Sequence, residues 1–154
     1  MKKDRIHFIG IGGIGMSALA RFYKARGFSV SGSDLARSEI TDALKGEGMR
    51  VYVGRHKPSN VASAVTEVIS TAAARTDNPE IIAAKRRSIP VMTYAEALGR
   101  LTGKFKTIAI AGAHGKTTTT ALIILALVKG GLDPTVIFGT KLREFKNSNF
   151  RRGR

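Results

Sequence analysis

The chain has 154 residues, 43% of them hydrophobic and 24% charged, and no cysteine, which excludes disulfides, thiolate catalysis and thiolate metal sites. Its longest apolar run, residues 121–128, is far short of the ~20 residues a membrane span needs, and the basic start lacks the unbroken apolar stretch and cleavage pattern of a signal peptide, so a soluble, cytoplasmic protein is expected. The net charge of +15 is uneven: residues 1–103 carry 16 basic and 9 acidic side chains, residues 104–154 carry 10 and 2.

Short apolar runs alternate with helix-like stretches, the pattern of repeated βα units around a parallel sheet. Strands are expected at 5–11, 28–32, 50–53, 67–71 and 89–92. Between them, Ile14, Ala18, Leu19 and Phe22 share one face of a helix over 14–25, and Ile40, Ala43 and Leu44 one face of a helix over 38–46. Asp77-Asn78-Pro79-Glu80 reads as the capped start of a helix to Arg87, since proline costs nothing in a first turn, and 94–101 reads as another helix. Five strands with right-handed crossovers give a Rossmann-like α/β sheet in the order 3-2-1-4-5, a complete domain over residues 1–103.

Lys104-Phe105-Lys106 reads as a hinge, and residues 104–154 as the opening of a second, P-loop α/β domain. Its expected parts are a strand at 107–111, a lysine-bearing loop, a helix to about Val128, a strand at 135–138 and a basic tail. A helix as apolar as 121–128 wants a sheet on one side and further cover on the other, so the chain is expected to be the front of a longer protein.

Two glycine-rich loops carry the chemistry. Gly10-x-Gly12-x-x-Gly15 lies between a strand and an amphipathic helix, where a tight turn lets a diphosphate approach the backbone and the helix N-terminus favours an anion. Asp34 follows Gly15 by 19 residues, at the end of the second strand, where a ribose hydroxyl is held. This pattern alone names NAD as ligand, yet it does not distinguish adenine from uracil.

Gly112-Ala113-His114-Gly115-Lys116-Thr117 is the second loop, shorter than the general P-loop, which needs a glycine five residues before the second one, where Ile110 stands instead. Its chemistry survives: backbone N–H groups between Gly112 and Lys116 ring a β-phosphate, Lys116 reaches the β- and γ-oxygens, and the Thr117 hydroxyl ligates Mg2+. Four β-branched residues, Thr117 to Thr120, are poor helix formers, which suits contact of the first two with phosphate or metal. Beyond Thr117 the acids are Asp133 and Glu144, neither at the end of a neighbouring strand, so the metal site is expected to be incomplete here. Of the histidines, His7 is expected to be packed in the first strand, His56 to lie in a loop, and His114 belongs to the second loop.

Residues 7–20, Gly32-Ser33-Asp34, Ser70-Thr71-Ala72, Asp77-Asn78-Pro79-Glu80, Ile89-Pro90-Val91 and residues 111–120 together resemble the Mur ligase family. The resemblance implies ATP- and Mg2+-dependent ligation of L-alanine to UDP-N-acetylmuramate in peptidoglycan synthesis, through an acyl phosphate. It places the sugar-nucleotide diphosphate on Gly12, Gly13, Ile14, Gly15, Met16 and Ser17, with Asp34, Ser70, Thr71 and Ala72 near the uridine. It places ATP on Gly112, Ala113, His114, Gly115, Lys116, Thr117 and Thr118, with Lys116 catalytic and Thr117 on the metal. Ala113 stands where the family has threonine, Tyr94 where it has arginine, and Arg55 separates Gly54 from His56. The family's acidic metal-binding segment and C-terminal domain have no counterpart in these residues, so no turnover is expected from them alone. Two other readings predict different ligands: an NAD-binding regulatory or redox module, and a nucleic-acid arm formed by the tail at 141–154, with six Lys or Arg against one Glu. The tail lacks the interleaved aromatics of an RNA-binding sheet, so no nucleic acid and no membrane are expected as partners.

Overall fold

The computed structural model describes residues 4–145 and 147–153. The basic start 1–3 and two cations of the tail, Lys146 and Arg154, lie outside them. Strands β1 (Arg5–Ile9), β2 (Ser29–Asp34), β3 (Arg50–Val53), β4 (Glu67–Ser70) and β5 (Val91–Thr93) form one parallel sheet in the order β3-β2-β1-β4-β5. Between them run helices α1 (Ile14–Ala25), α2 (Glu39–Gly46) and α3 (Pro79–Arg86), and α4 (Tyr94–Thr102) follows β5. Each start is chemically marked. Ser38 caps α2 and Thr93 caps α4 in reciprocal capping boxes, while Asn78 accepts from the Glu80 N–H ahead of Pro79. Helix α1 differs: its N-cap is Gly13, with no side-chain bond.

Side chains of a strand alternate between the two faces of the sheet, and β1 is buried on both. Ile6 and Phe8 face Leu19, Tyr23, Val30, Leu44 and Ile69, whereas Ile9 packs with Val61, Val68, Ile81 and Ala84 on the side of α3. His7 shares the α3 side, and this alternation delivers an imidazole to the helix that begins with Pro79-Glu80.

The second part comprises helix α5 (Lys116–Lys129) and an antiparallel hairpin, β6 (Val136–Leu142) with β7 (Ser148–Arg151). Ile124 of α5 packs on Val136 and Phe138, while Leu122 is exposed. The hairpin sits on α1. Phe22 meets Phe150 and Phe105 edge-on, with ring centroids 6.4 and 6.2 Å apart.

Several boundaries differ from the sequence expectation. β1 stops at Ile9 rather than 11 because the Gly10 and Ile11 N–H groups both turn to the Ser33 carbonyl. β5 starts at Val91 because the Ile89 N–H closes α3 on Ala84 and Pro90 has no N–H to give. Residues 107–111 are not a strand: they are largely exposed, and no strand among the described residues pairs with them. The tail, in contrast, is partly ordered as β7, with Arg151 donating to Asp133 and to the Pro134 carbonyl.

Candidate functional site

The first loop leaves the carboxyl end of β1, between β2 and β4, where the strand order reverses. Its amides divide into two sets. Gly10 and Ile11 donate to Ser33 O (2.8 and 3.0 Å), Gly12 to Asp34 Oδ2 (2.8 Å) and Gly13 to Gly10 O (3.1 Å). The next three, on Ile14, Gly15 and Met16, have no partner among the described residues, and the Ser17 N–H closes the first helical turn on Gly13 O. Free amides at a helix N-terminus with no capping side chain leave an anion-binding surface.

Around that surface the expected residues take different roles. Asp34 points back into the loop and also accepts from Ala36 N (3.2 Å), so its carboxylate fixes the turn. A β-carbon on Gly12 would lie 2.8 Å from Asp34 Oδ2, so glycine is needed there. Thr71 packs its methyl against Gly10, Ser70 is buried, and Ala72 is exposed beside them. Ser17 faces inward: its hydroxyl donates to Ile14 O (2.9 Å) and accepts from Asn149 Nδ2 (2.8 Å).

Asn149 was not singled out by the sequence. Buried in β7, it also donates to Ile14 O (2.6 Å) and accepts at Oδ1 from Arg21, whose guanidinium is held by Glu47 through Nε and Nη2. The hairpin thus ties itself to the first turn of α1.

Beneath the loop lies a second unforeseen feature. Glu80 is fully buried and accepts from Ser33 Oγ (2.6 Å), Asn60 Nδ2 (2.6 Å) and His7 Nε2 (3.1 Å). His56 Nδ1 lies 3.1 Å from Ser33 Oγ and 3.3 Å from Glu80 Oε1, and His7 Nδ1 meets the Ser31 hydroxyl. Burial pushes the Glu80 carboxyl up, but the bonds from His7, Ser33 and Asn60 and the electrostatic pull of His7 outweigh it and bring the group down to about 2. His7 is packed, as expected, and its partner joins β1, β2, the 58–60 turn and α3 into one frame. An imidazole inside an apolar strand was the available signal, because a buried ring nitrogen requires a partner.

The second loop is built differently. Residues 111–119 are exposed, Gly112 and Gly115 have φ of 152° and 75°, and Gly115 caps α5 without a side-chain bond. The N–H groups of Ala113, His114, Gly115, Lys116, Thr117 and Thr118 have no partner among the described residues. Lys116 Nζ folds back onto the carbonyls of Gly112 (2.5 Å) and Ala113 (3.0 Å). A ring of free amides with a lysine at its mouth suits a polyphosphate. For a divalent cation the chain offers the Thr117 hydroxyl, and no cluster of three carboxylates or histidines occurs among the described residues.

Comparison with known proteins gives a consistent result. Residues 5–106 match the model of the Mur ligase family, catalytic domain, a match that ends before the second loop. A UDP-N-acetylmuramate–L-alanine ligase of Carboxydothermus hydrogenoformans is 49% identical over 137 residues, 89% of this chain and 29% of its own length. One of Aquifex aeolicus is 46% identical over 157 residues, 100% of this chain and 34% of its own. The crystal structure of UDP-N-acetylmuramate–alanine ligase from Thermotoga maritima superposes with a TM-score of 0.90 at 34% identity, covering 97% of this chain and 35% of that one. The chain therefore spans about a third of the length of the curated relatives it matches.

Proposed function

Because the chain belongs to the Mur ligase family, we propose that it forms the sugar-nucleotide-binding and ATP-binding front of a ligase that joins L-alanine to UDP-N-acetylmuramate in peptidoglycan synthesis, in the cytoplasm where ATP is at hand. The observation that carries this reading is the pair of loops, each ending in unpartnered amides at a helix N-terminus.

In this reading the diphosphate of the sugar nucleotide sits on the Ile14, Gly15 and Met16 amides. Gly12 and Gly13 shape the turn, and Ser17 holds the first helical turn from inside. Asp34 orients the loop while its remaining lone pairs face the ribose, and Ser70, Thr71 and Ala72 form the opposite wall at the end of β4. The triphosphate of ATP takes the amides from Ala113 to Thr118, and Lys116 exchanges its two loop carbonyls for phosphate oxygens. ATP supplies the phosphoryl group that converts the muramyl carboxylate into an acyl phosphate open to attack by the alanine amine. Lys116, the catalytic residue of the chain, offsets negative charge on the transferring group, which lowers the barrier electrostatically. Thr117 is the ligand this chain offers to Mg2+, whose role is to neutralise phosphate charge.

The test is a thermal-shift comparison on the 154-residue chain with UDP-N-acetylmuramate, Mg-ATP and NADH, since a ligand that binds the folded state raises its apparent stability. UDP-N-acetylmuramate and Mg-ATP are expected to raise Tm and NADH to leave it unchanged. A shift with NADH and none with the sugar nucleotide overturns the proposal in favour of a dinucleotide-binding module.

A further inference from the structure

Tyr94 opens α4 directly after β5, so it stands at the carboxyl end of the sheet on the same side as the first loop. Its ring crosses in front of Gly15: a β-carbon there would lie 2.9 Å from both Cζ and Oη. No other side chain than hydrogen fits at position 15 while the phenol stays in place.

The ring and the hydroxyl of Tyr94 have different surroundings. The ring is half-buried against the core cluster that holds α1, whereas the hydroxyl has no hydrogen-bond partner among the described residues. Among the described residues no side-chain oxygen or nitrogen sealed from solvent lacks a partner, so Oη opens to solvent, and it lies over Gly15, the middle of the three residues with free amides. Burial pushes the phenol above its ordinary value, which keeps the proton on the oxygen and the group a neutral donor at physiological pH.

We propose that Tyr94 is a ligand-contact residue of the first loop, its phenol O–H donating a hydrogen bond to the diphosphate of the sugar nucleotide seated on the Ile14–Met16 amides. The inference rests on the sugar-nucleotide reading and adds a fourth donor, from a different element, to three backbone ones. An anion held by amides and a phenol is held by dipoles, so this rim contributes little salt dependence. Only ligands carrying phosphate oxygens at this point gain from the contact.

The experiment is calorimetric titration of UDP-N-acetylmuramate into the full chain and its Tyr94→Phe variant, with the unliganded Tm of each. Phenylalanine keeps the ring that packs over Gly15 and removes the donor alone. The expected result is an unchanged unliganded Tm and affinity weakened roughly tenfold, the loss of one hydrogen bond to a charged group. Equal affinity for the two proteins overturns the role of Tyr94 and leaves the sugar-nucleotide reading standing. Weakened binding accompanied by a fallen unliganded Tm also overturns it, since the ring's packing then accounts for the loss. Wild-type protein that takes up no UDP-N-acetylmuramate overturns the reading and the inference together.

Discussion

From Gly10 to Met16 seven amides run in sequence, and the first four are spent on Ser33, Asp34 and the loop itself before three remain free. From Ala113 to Thr118 six amides run in sequence and none is spent among the described residues. Both loops precede a helix with a glycine N-cap, and both suit phosphate, yet one is braced and the other is not. The first rests on a five-stranded sheet, on the Glu80 frame below it and on Asn149 beside it. The second follows an unpaired segment and leads into a helix covered on one face by a two-stranded hairpin. A braced loop offers its amides preorganised, at low entropic cost to binding, whereas an exposed one must be ordered by its ligand. This contrast turns into different expected responses to substitution.

The largest effect is expected at Glu80. Replacement by alanine leaves His7, Ser33 and Asn60 without their shared acceptor in a fully buried site, at a cost of roughly 3–5 kcal/mol in urea unfolding. The same carboxylate makes a pH prediction. Its folded value of about 2 lies below the ordinary 4.5, so the unfolded chain binds the proton more readily. The stabilisation is complete above about pH 5 and is lost as pH falls toward 2, amounting to about 3 kcal/mol. Glu80→Gln should flatten that part of the stability–pH curve. A variant that unfolds in acid along the wild-type curve would show that another group carries the transition.

A smaller loss is expected at Asn149, which links the two regions. Alanine there removes the donor to Ile14 O and Ser17 Oγ and the acceptor of Arg21, worth about 1–3 kcal/mol. Glu47 continues to hold the Arg21 guanidinium, which limits the cost. Hydrogen exchange should accelerate across β6 and β7 while the five-stranded sheet keeps its protection. Equal acceleration in β1 would mean that hairpin and sheet open as one unit, and the contrast between the regions would dissolve.

What the sequence disclosed follows the same division. The order of the parallel sheet was readable because short extended runs alternate with helices that carry their own stop and start signals, such as Gly27 and Asn78, with only the crossing from β3 to β4 made by a turn. Both loops were readable because glycine spacing encodes backbone shape directly. Glu80 was read as part of a helix start, which it is, but its buried carboxylate depends on His7, Ser33 and Asn60, partners up to 73 residues away that periodicity does not relate. Residues 107–111 have strand composition, and strand formation needs a neighbour that the described residues do not supply. The tail, read from its charge as a basic segment after the last strand, in fact contributes β7, with Asn149 buried and Arg151 tied to Asp133, a pairing visible once β6 lies alongside. The inward bonding of Ser17 and the placement of Tyr94 over Gly15 came from side-chain direction, which neither motif nor composition carries.

The smallest effect on stability, and the sharpest contrast with Glu80, is expected at Lys116. Its two bonds go to exposed carbonyls that water satisfies equally well, so Lys116→Ala should move the unfolding midpoint by less than about 0.5 kcal/mol. The thermal shift produced by Mg-ATP should disappear, because the ammonium is the one side-chain cation this loop offers to a triphosphate. The shift produced by UDP-N-acetylmuramate should persist, since the first loop keeps its own braces. A variant that loses both shifts, or that loses stability comparable to an Asn149 substitution, would show that the exposed loop is coupled to the braced one through contacts beyond those seen between the hairpin and α1.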